Sequence, residues 1–425
     1  LRGTGNLACK SDGKVYLFHQ VSQFSLKRFN KTPNGSSIFR LFYVPTVLIF
    51  FPMEKDVCSE TYRAPNSLKH KVNNGVFEVL NNNSICIFLS TYINEYLISS
   101  TNTNAEIAIV QGQIMEVKRR AVKNLVTKLS SVSEQTRTEA ICELRLISKN
   151  DSDSRPLIAD AGAVPYLSES LYSSNRLSQE NATATLHNLS ITNKDLLMST
   201  RGVLDALSHA LRNPSSPFVA QCAAATVFSL LTAESYRPII GHKRDILFGL
   251  IDIIKNPNSD SRTVKDALKA LFGIALYPLN RAQIIELGAV PPLFSLLCND
   301  GRAGILEDVT AVIAQIAGCD ESWEAFRKIS GVGVLVDLLD SSTGSSSRTR
   351  ENAVSALLNL VQCGGERTVN GIRGIVLGAV DGIIEVAENG TDKGRGKAMA
   401  LLKILDASSS TFQEEQMDYM SNHSF

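Results

Sequence analysis

The chain has 425 residues, a formal net charge of +1 and 20% charged residues, a balance that excludes any global pull toward nucleic acid or an anionic membrane. A charged partner must then be met by a local patch. The eight cysteines, at positions 9, 58, 86, 142, 222, 298, 319 and 363, never come closer than 21 residues apart, which excludes a Cys-x-x-Cys zinc or redox pair. Reduced, buried thiols in a cytoplasmic or nuclear protein are expected.

Residues 1–112 form a poorly patterned N-terminal segment. They hold nine of the 17 phenylalanines and an Asn-rich run from Asn66 to Asn104, with no sustained helical period. The first methionine is Met53, so residues 1–52 read as an upstream stretch translated without a start codon or as the remnant of a longer protein. Leu41 to Phe51 is strongly apolar, but it is about half the roughly 20 residues that a membrane span needs, and it contains Pro45. A buried strand or a non-native exon is expected there, not a span. The run begins too late for a secretory signal, and no targeting segment is expected.

From Ile114 the texture changes. Ile114, Val117, Ala121, Val122, Leu125, Val126 and Leu129 fall at spacings of three and four, with Lys118, Arg119, Lys123 and Lys128 mostly opposite, which predicts an amphipathic helix. A polar break at Ser130 to Ser133 precedes a second helix from about Glu134 to Lys149. A short segment around Arg155 to Ile158 leads to Gly162-Ala163-Val164-Pro165, which opens another apolar helix. The bend recurs as Gly288-Ala289-Val290-Pro291 and Gly378-Ala379-Val380-Asp381, and more loosely as Gly202-Val203-Leu204-Asp205. Glycine permits the positive φ that ends one helix sharply, and proline is tolerated in the first turn of the next. Short first helices then read as Leu196 to Met198, Pro238 to Ile240, Arg281 to Leu287, Trp323 to Ile329 and Arg367 to Leu377. Asp340 to Ser347 reads as an exposed insertion between a second and a third helix.

One motif is written twice. Glu180-Asn181-Ala182, three residues, then Leu186, Asn188 and Leu189 recurs as Glu351-Asn352-Ala353, three residues, then Leu357, Asn359 and Leu360, 171 residues later. Sliding its asparagine slot along the chain gives Leu146, Asn188, Ser229, Gly273, Gln315, Asn359 and Lys403, at steps of 42, 41, 44, 42, 44 and 44 residues. That period belongs to armadillo or HEAT arrays, and three helices per unit favours armadillo. The third helices carry more apolar surface than one unit can cover, so neighbours must stack. The expected fold is all-α: an armadillo-repeat, right-handed superhelical solenoid of about seven repeats over residues 113–407, followed by a polar tail at 408–425.

The motifs Leu-Val-Thr-Lys-Leu-Ser-Ser from Leu125, Glu-Ala-Ile-Cys-Glu-Leu-Arg-Leu-Ile-Ser-Lys from Glu139 and Ala-Gly-Ala-Val-Pro-Tyr-Leu from Ala161 resemble the armadillo region of plant U-box ubiquitin ligases. Asn188-Leu189-Ser190 and Asn280-Arg281 before the Gly288 bend are similar to the same family. The resemblance covers about residues 113 to 407 and implies third helices that line a concave, partner-binding groove. It also implies a U-box that docks a ubiquitin-conjugating enzyme. No U-box signature is found: Thr61-Tyr62-Arg63 lacks the expected glutamate, and Cys86-Ile87 lacks the proline. A ubiquitin-conjugating enzyme is therefore an expected partner only if a U-box is present.

Carried onto matching positions, the family's groove asparagine is Asn188 and Asn359, whose amides can donate to and accept from an extended backbone. The other groove candidates are Ser229, Gln315 and Lys403, with Asn181 and Asn352 seven residues before the two asparagines; a helix-start role is the plain alternative for that last pair. Arg348, Arg350, Arg395 and Lys397 form a candidate basic patch for an acidic or phosphorylated segment, against the alternative of ordinary solvated charge. None of the six histidines has a metal-like partner three or four residues away, and Gly394-Arg395-Gly396-Lys397 lacks the remainder of a phosphate loop. No cofactor, metal or intrinsic catalytic residue is expected. The function read from the sequence is a protein-interaction scaffold in ubiquitin-dependent turnover. The alternative is an active U-box ligase whose U-box is diverged or missing.

Overall fold

The computed structural model describes residues 6–11, 14–19, 37–43, 47–53, 104–376 and 380–406. The chain divides into two units, Leu1–Ile85 and Cys86–Phe425.

The described residues of the first unit form two antiparallel hairpins, β1 (Asn6–Ser11) with β2 (Lys14–His19), and β3 (Ser37–Tyr43) with β4 (Val47–Met53). The apolar run from Leu41 to Phe51, expected as one strand, is divided between two, with Leu41 facing Ile49 and Phe39 facing Phe51. Pro45, between them in the sequence, lies outside the described residues. The Asn-rich run lies outside the described residues up to residue 103.

The second unit opens with α1 (Asn104–Leu129) and α2 (Glu134–Asn150). The first helix thus begins ten residues ahead of Ile114, because the stretch after Asn104 holds good helix formers (Ala105, Glu106, Ala108) behind the asparagines. Units of three helices follow: α3 (Ser154–Asp160), α4 (Ala163–Ser170) and α5 (Arg176–Ser190), then α6 (Lys194–Ser199), α7 (Val203–Arg212) and α8 (Pro217–Leu231). The third set is α9 (Arg237–Gly241), α10 (Arg244–Lys255) and α11 (Ser261–Ala275), and the fourth is α12 (Arg281–Glu286), α13 (Val290–Asn299) and α14 (Ala303–Ile316). α15 (Ser322–Arg327), α16 (Gly331–Asp337) and α17 (Ser347–Val376) lead to α18 (Val380–Asn389) and α19 (392–406). α17 is two helices in one: Gly365, at φ 61 and ψ −161, separates a third helix from the first helix of the next unit.

Local chemistry sets these boundaries. Gly162, Gly202 and Gly288 adopt φ of 82, 87 and 83, the left-handed turn expected before a second helix. Gly378 lies outside the described residues. Four third helices begin on side-chain caps: Ser133 accepts from the Thr136 N–H, Asn175 from Leu177 and Ser178, Asp260 from Arg262 and Thr263, and Ser346 from Thr349, whereas α8 and α14 start without one.

Third helices pack most extensively on third helices, and second helices form a parallel layer behind them. Leu186, Leu189, Leu271, Leu357 and Leu401 are buried in this stack, and Ala182, Ala223, Ala267 and Ala353 are fully buried where helices approach closely. At about 1.5–3 kcal/mol for each fully buried leucine, one unit gains this only when its neighbour closes over it. At the N-terminal end, Lys118 of α1 pairs at 2.8 Å with Asp151, the residue that closes α2, and both are nearly sealed from water. The same carboxylate accepts from Ser154 Oγ at 2.5 Å.

Candidate partner-binding face

Because second helices cover one side of the third-helix layer, its opposite side is the open face. The slot residues fall on it at the period read from the sequence. Asn188, Ser229, Gln315 and Asn359 are half-buried, Leu146 and Lys403 are exposed, and Gly273 is buried. Gly273 sits where a Cβ would lie 3.0 Å from Leu231 Cβ, so glycine lets α11 close onto α8.

Three slot side chains reach back to the preceding third helix. Asn188 Nδ2 donates to Ser148 Oγ at 3.0 Å, Ser229 Oγ to the Ser190 carbonyl at 3.0 Å, and Asn359 Nδ2 to the Ala314 carbonyl at 2.7 Å. A primary amide has two N–H donors and a carbonyl with two lone pairs. One N–H therefore fixes each asparagine while the other N–H and the carbonyl oxygen are left for a bound chain. Gln315 is held differently: its Oε1 accepts from Arg281 Nη2 at 3.2 Å. Arg281 also donates to the Ala275 and Gly318 carbonyls, while Asn280 Nδ2 donates to those of Arg237 and Ile274. The Asn280-Arg281 pair singled out in the sequence thus ties two successive units together.

The remaining predicted residues serve the stack. Asn181 is buried, donating to the Leu177 carbonyl and accepting from Arg145, which lies 5.4 Å over the Phe218 ring. Asn352 Nδ2 donates to the Glu307 carbonyl and to Thr310 Oγ1 at 3.2 and 3.1 Å, bracing α17 on α14. The four predicted basic residues do not share one set of neighbours. Arg350 meets Glu385 of α18 at 2.5 Å, a charge contact without hydrogen-bond geometry at Nε or Nη1, and Arg395 pairs with Asp392. Lys397 Nζ donates to Ser355 Oγ at 2.8 Å on the open face, and Arg348 is exposed at the start of α17.

The sequence reading missed Arg262, Lys265, Lys269 and Asp308. Arg262 and Arg348 both lie eleven residues before a slot, so following that second position along the repeats was the available signal. Asp308 is half-buried, its Oδ2 makes no hydrogen bond, and desolvation raises its carboxyl pKa against the pull of Lys265, Lys269 and Arg348. Burial also lowers the His187 pKa and pushes the Cys222 and Cys319 thiols up to about 11 and about 12. Those thiols are poor nucleophiles at neutral pH. Among the described residues no cluster of His, Cys, Asp and Glu could hold a metal ion, and no single helix is long and apolar enough to cross a membrane.

Solved structures with the same stacked architecture include an engineered protein, 22% identical with a TM-score of 0.59 over 74% of this chain and 78% of that one. Another comes from work on a phosphorylation switch controlling the interaction between cadherin and β-catenin, 17% identical with a TM-score of 0.56 over 70% of this chain and 56% of that one. Curated relatives include U-box domain-containing protein 17 of Arabidopsis thaliana, 30% identical over 309 residues, covering 72% of this chain and 41% of the relative. U-box domain-containing protein 16 of the same plant is 28% identical over 295 residues, covering 69% of this chain and 42% of the relative. The chain therefore spans about two fifths of the length of these curated relatives. The family model of the plant U-box protein ARM repeat region matches residues 121–420, and with its armadillo stack this chain belongs to that family.

Proposed function

We propose that the chain is a non-catalytic recognition scaffold that holds an extended segment of a partner protein on the open face of its third helices, within a ubiquitin-dependent turnover system. The supporting observation is the pair of half-buried amides, Asn188 and Asn359, each fixed by one N–H and left with a donor and an acceptor for a peptide backbone. The ubiquitin role rests on family membership. The interaction reported for β-catenin and cadherin makes protein recognition on such a stack a reasonable model. A second reading, an active U-box-type ubiquitin ligase, is favoured by the relatives' U-box names and by their greater length. Even then the chain would supply proximity and orientation for a ubiquitin-conjugating enzyme, not a nucleophile. We place the protein in the cytoplasm or nucleus, in keeping with the five described cysteines, which form no disulfide among themselves.

The test is peptide-library selection on the full chain, followed by affinity measurement on Asn188→Ala and Asn359→Ala. Loss of binding by both variants, with unchanged circular dichroism, supports the groove reading. Selected peptides that bind both variants at full affinity would move the site off this face. An autoubiquitination assay with a panel of conjugating enzymes, beside a known U-box ligase, separates the two readings: chains built on this protein favour the ligase.

A further inference from the structure

Elsewhere among the described residues, several cations meet a carboxylate. Lys243 pairs with Asp205 at 2.7 Å, Arg244 with Glu286 at 3.1 Å, Arg327 with Glu324 at 2.9 Å and Arg350 with Glu385 at 2.5 Å, all on or facing the first and second helices. The open face of α11, α17 and α19 gathers cations without such a partner, and α14 between them carries no Lys or Arg. Among the described residues, Arg262, Lys265, Arg348, Lys397 and Lys403 form no ion pair there, and Lys269 Nζ comes only within 3.9 Å of Asp266.

The carboxylates of the same face are engaged by neutral donors of the chain itself. Asp266 accepts from Gln221 Nε2 at 3.2 Å, Glu307 from Ser346 Oγ at 2.9 Å, and Glu351 from the Thr391 N–H and Oγ1 at 2.6 and 2.9 Å. Asp308 is the exception, with a buried oxygen that makes no hydrogen bond. The cations lean across the seams between helices. Lys265 Nζ lies 2.8 Å from the place where a Cβ on Gly304 of α14 would stand, and Lys397 reaches from α19 to Ser355 of α17.

Resting on the groove reading above, we propose that this stretch docks an acidic, extended segment of another protein, with aspartate or glutamate at about every third residue. The spacing follows from geometry. Packed helices lie about 8–10 Å apart and an extended chain advances about 3.3 Å per residue, so each successive third helix meets the partner about three residues further on. Four helices then take about ten residues. Unpaired cations gathered on one face supply the charge complementarity that steers an anionic segment and sets its register.

Fluorescence anisotropy on the full chain tests this with two labelled ten-residue peptides, one with glutamate at every third position between serines, the other with glutamine in those places. The expected result is binding of the glutamate peptide that weakens steeply with salt, and about tenfold or weaker binding of the glutamine peptide. The Lys265→Gln, Arg348→Gln double variant should lose about tenfold for the glutamate peptide. Asp308→Asn should bind it more tightly, and Arg244→Gln should leave it unchanged; circular dichroism checks that each variant is folded. Equal affinity for the two peptides overturns the proposal, as does an equal loss in Arg244→Gln. Binding that develops only after residues 408–425 are removed also overturns it, because the track would then belong to the chain's own acidic tail. If both peptides bind equally yet Asn188→Ala and Asn359→Ala abolish binding, the groove reading stands and the charge assignment alone fails.

Discussion

Lys118 and Asp151 are the residues whose loss is expected to be felt most at the N-terminal end of the array. Removing one member of a sealed ion pair leaves the other charge buried without compensation, at a cost of about 3–5 kcal/mol. Lys118→Met should therefore lower the urea midpoint markedly, and the Lys118→Met, Asp151→Asn double variant should recover much of the loss; equal destabilisation by both would show that the pair is not what holds α1 to α2. Asp308 acts in the opposite direction. Its folded-state carboxyl sits above the ordinary value of 3.8, so over the window above 3.8 the native protein retains a proton that the unfolded chain has released, and stability falls as pH rises through the raised value. Asp308→Asn should raise Tm at neutral pH, with the gain disappearing once the pH drops below about 3.8, where both states are protonated. Individual residues were only half legible in the sequence. The slot period located Asn188 and Asn359 because helix geometry repeats, but the internal hydrogen bonds of Asn181, Asn352 and Gln315 join residues up to 45 apart in sequence, and no local pattern encodes such partners.

At the scale of elements, the left-handed bend before α4, α7, α13 and α16 is the most instructive feature. Its glycine form was readable at Gly162, Gly202 and Gly288 because only glycine adopts that φ without penalty. The unit of α15 to α17 uses Ser330 instead, at φ 54, and no glycine pattern could reveal it. An L-residue in this region carries a strain of about 1–2 kcal/mol. Ser330→Gly should raise the thermal midpoint by about 1 kcal/mol equivalent, while Gly288→Ala, which imposes the same strain at φ 83 with open space around its Cβ, should lower it by a similar amount. Calorimetry on the two variants checks the signs. Two close approaches were equally hidden: a Cβ on Gly249 would meet Leu211 Cβ at 2.6 Å, and one on Gly241 would overlap the Asn280 side chain. In each the glycine is required by a neighbouring unit, not by its own turn.

For the molecule as a whole, the period of 41 to 44 residues specified the stack because each unit can bury its leucines only against the next. The same dependence predicts uneven stability along the array. α8 and α11 have a third helix on both sides, whereas α2 and α19 lie toward the ends of the described layer. Hydrogen exchange should be slowest in α8 and α11 and faster by a factor of at least about ten in α19. Uniform protection across all third helices would mean that the array unfolds as one cooperative block. What the sequence withheld at this scale was the start of α1, masked by the asparagines before it, and the two hairpins of the first unit, whose cross-strand pairing leaves no helical period to detect. The tie that Asn280 and Arg281 make between two units has a further consequence. Where one pair of side chains fastens α9, α11 and α14 together, the interval between neighbouring open-face positions is set by the protein and not by what it holds. The middle of the array acts as a ruler, and a partner is measured against it.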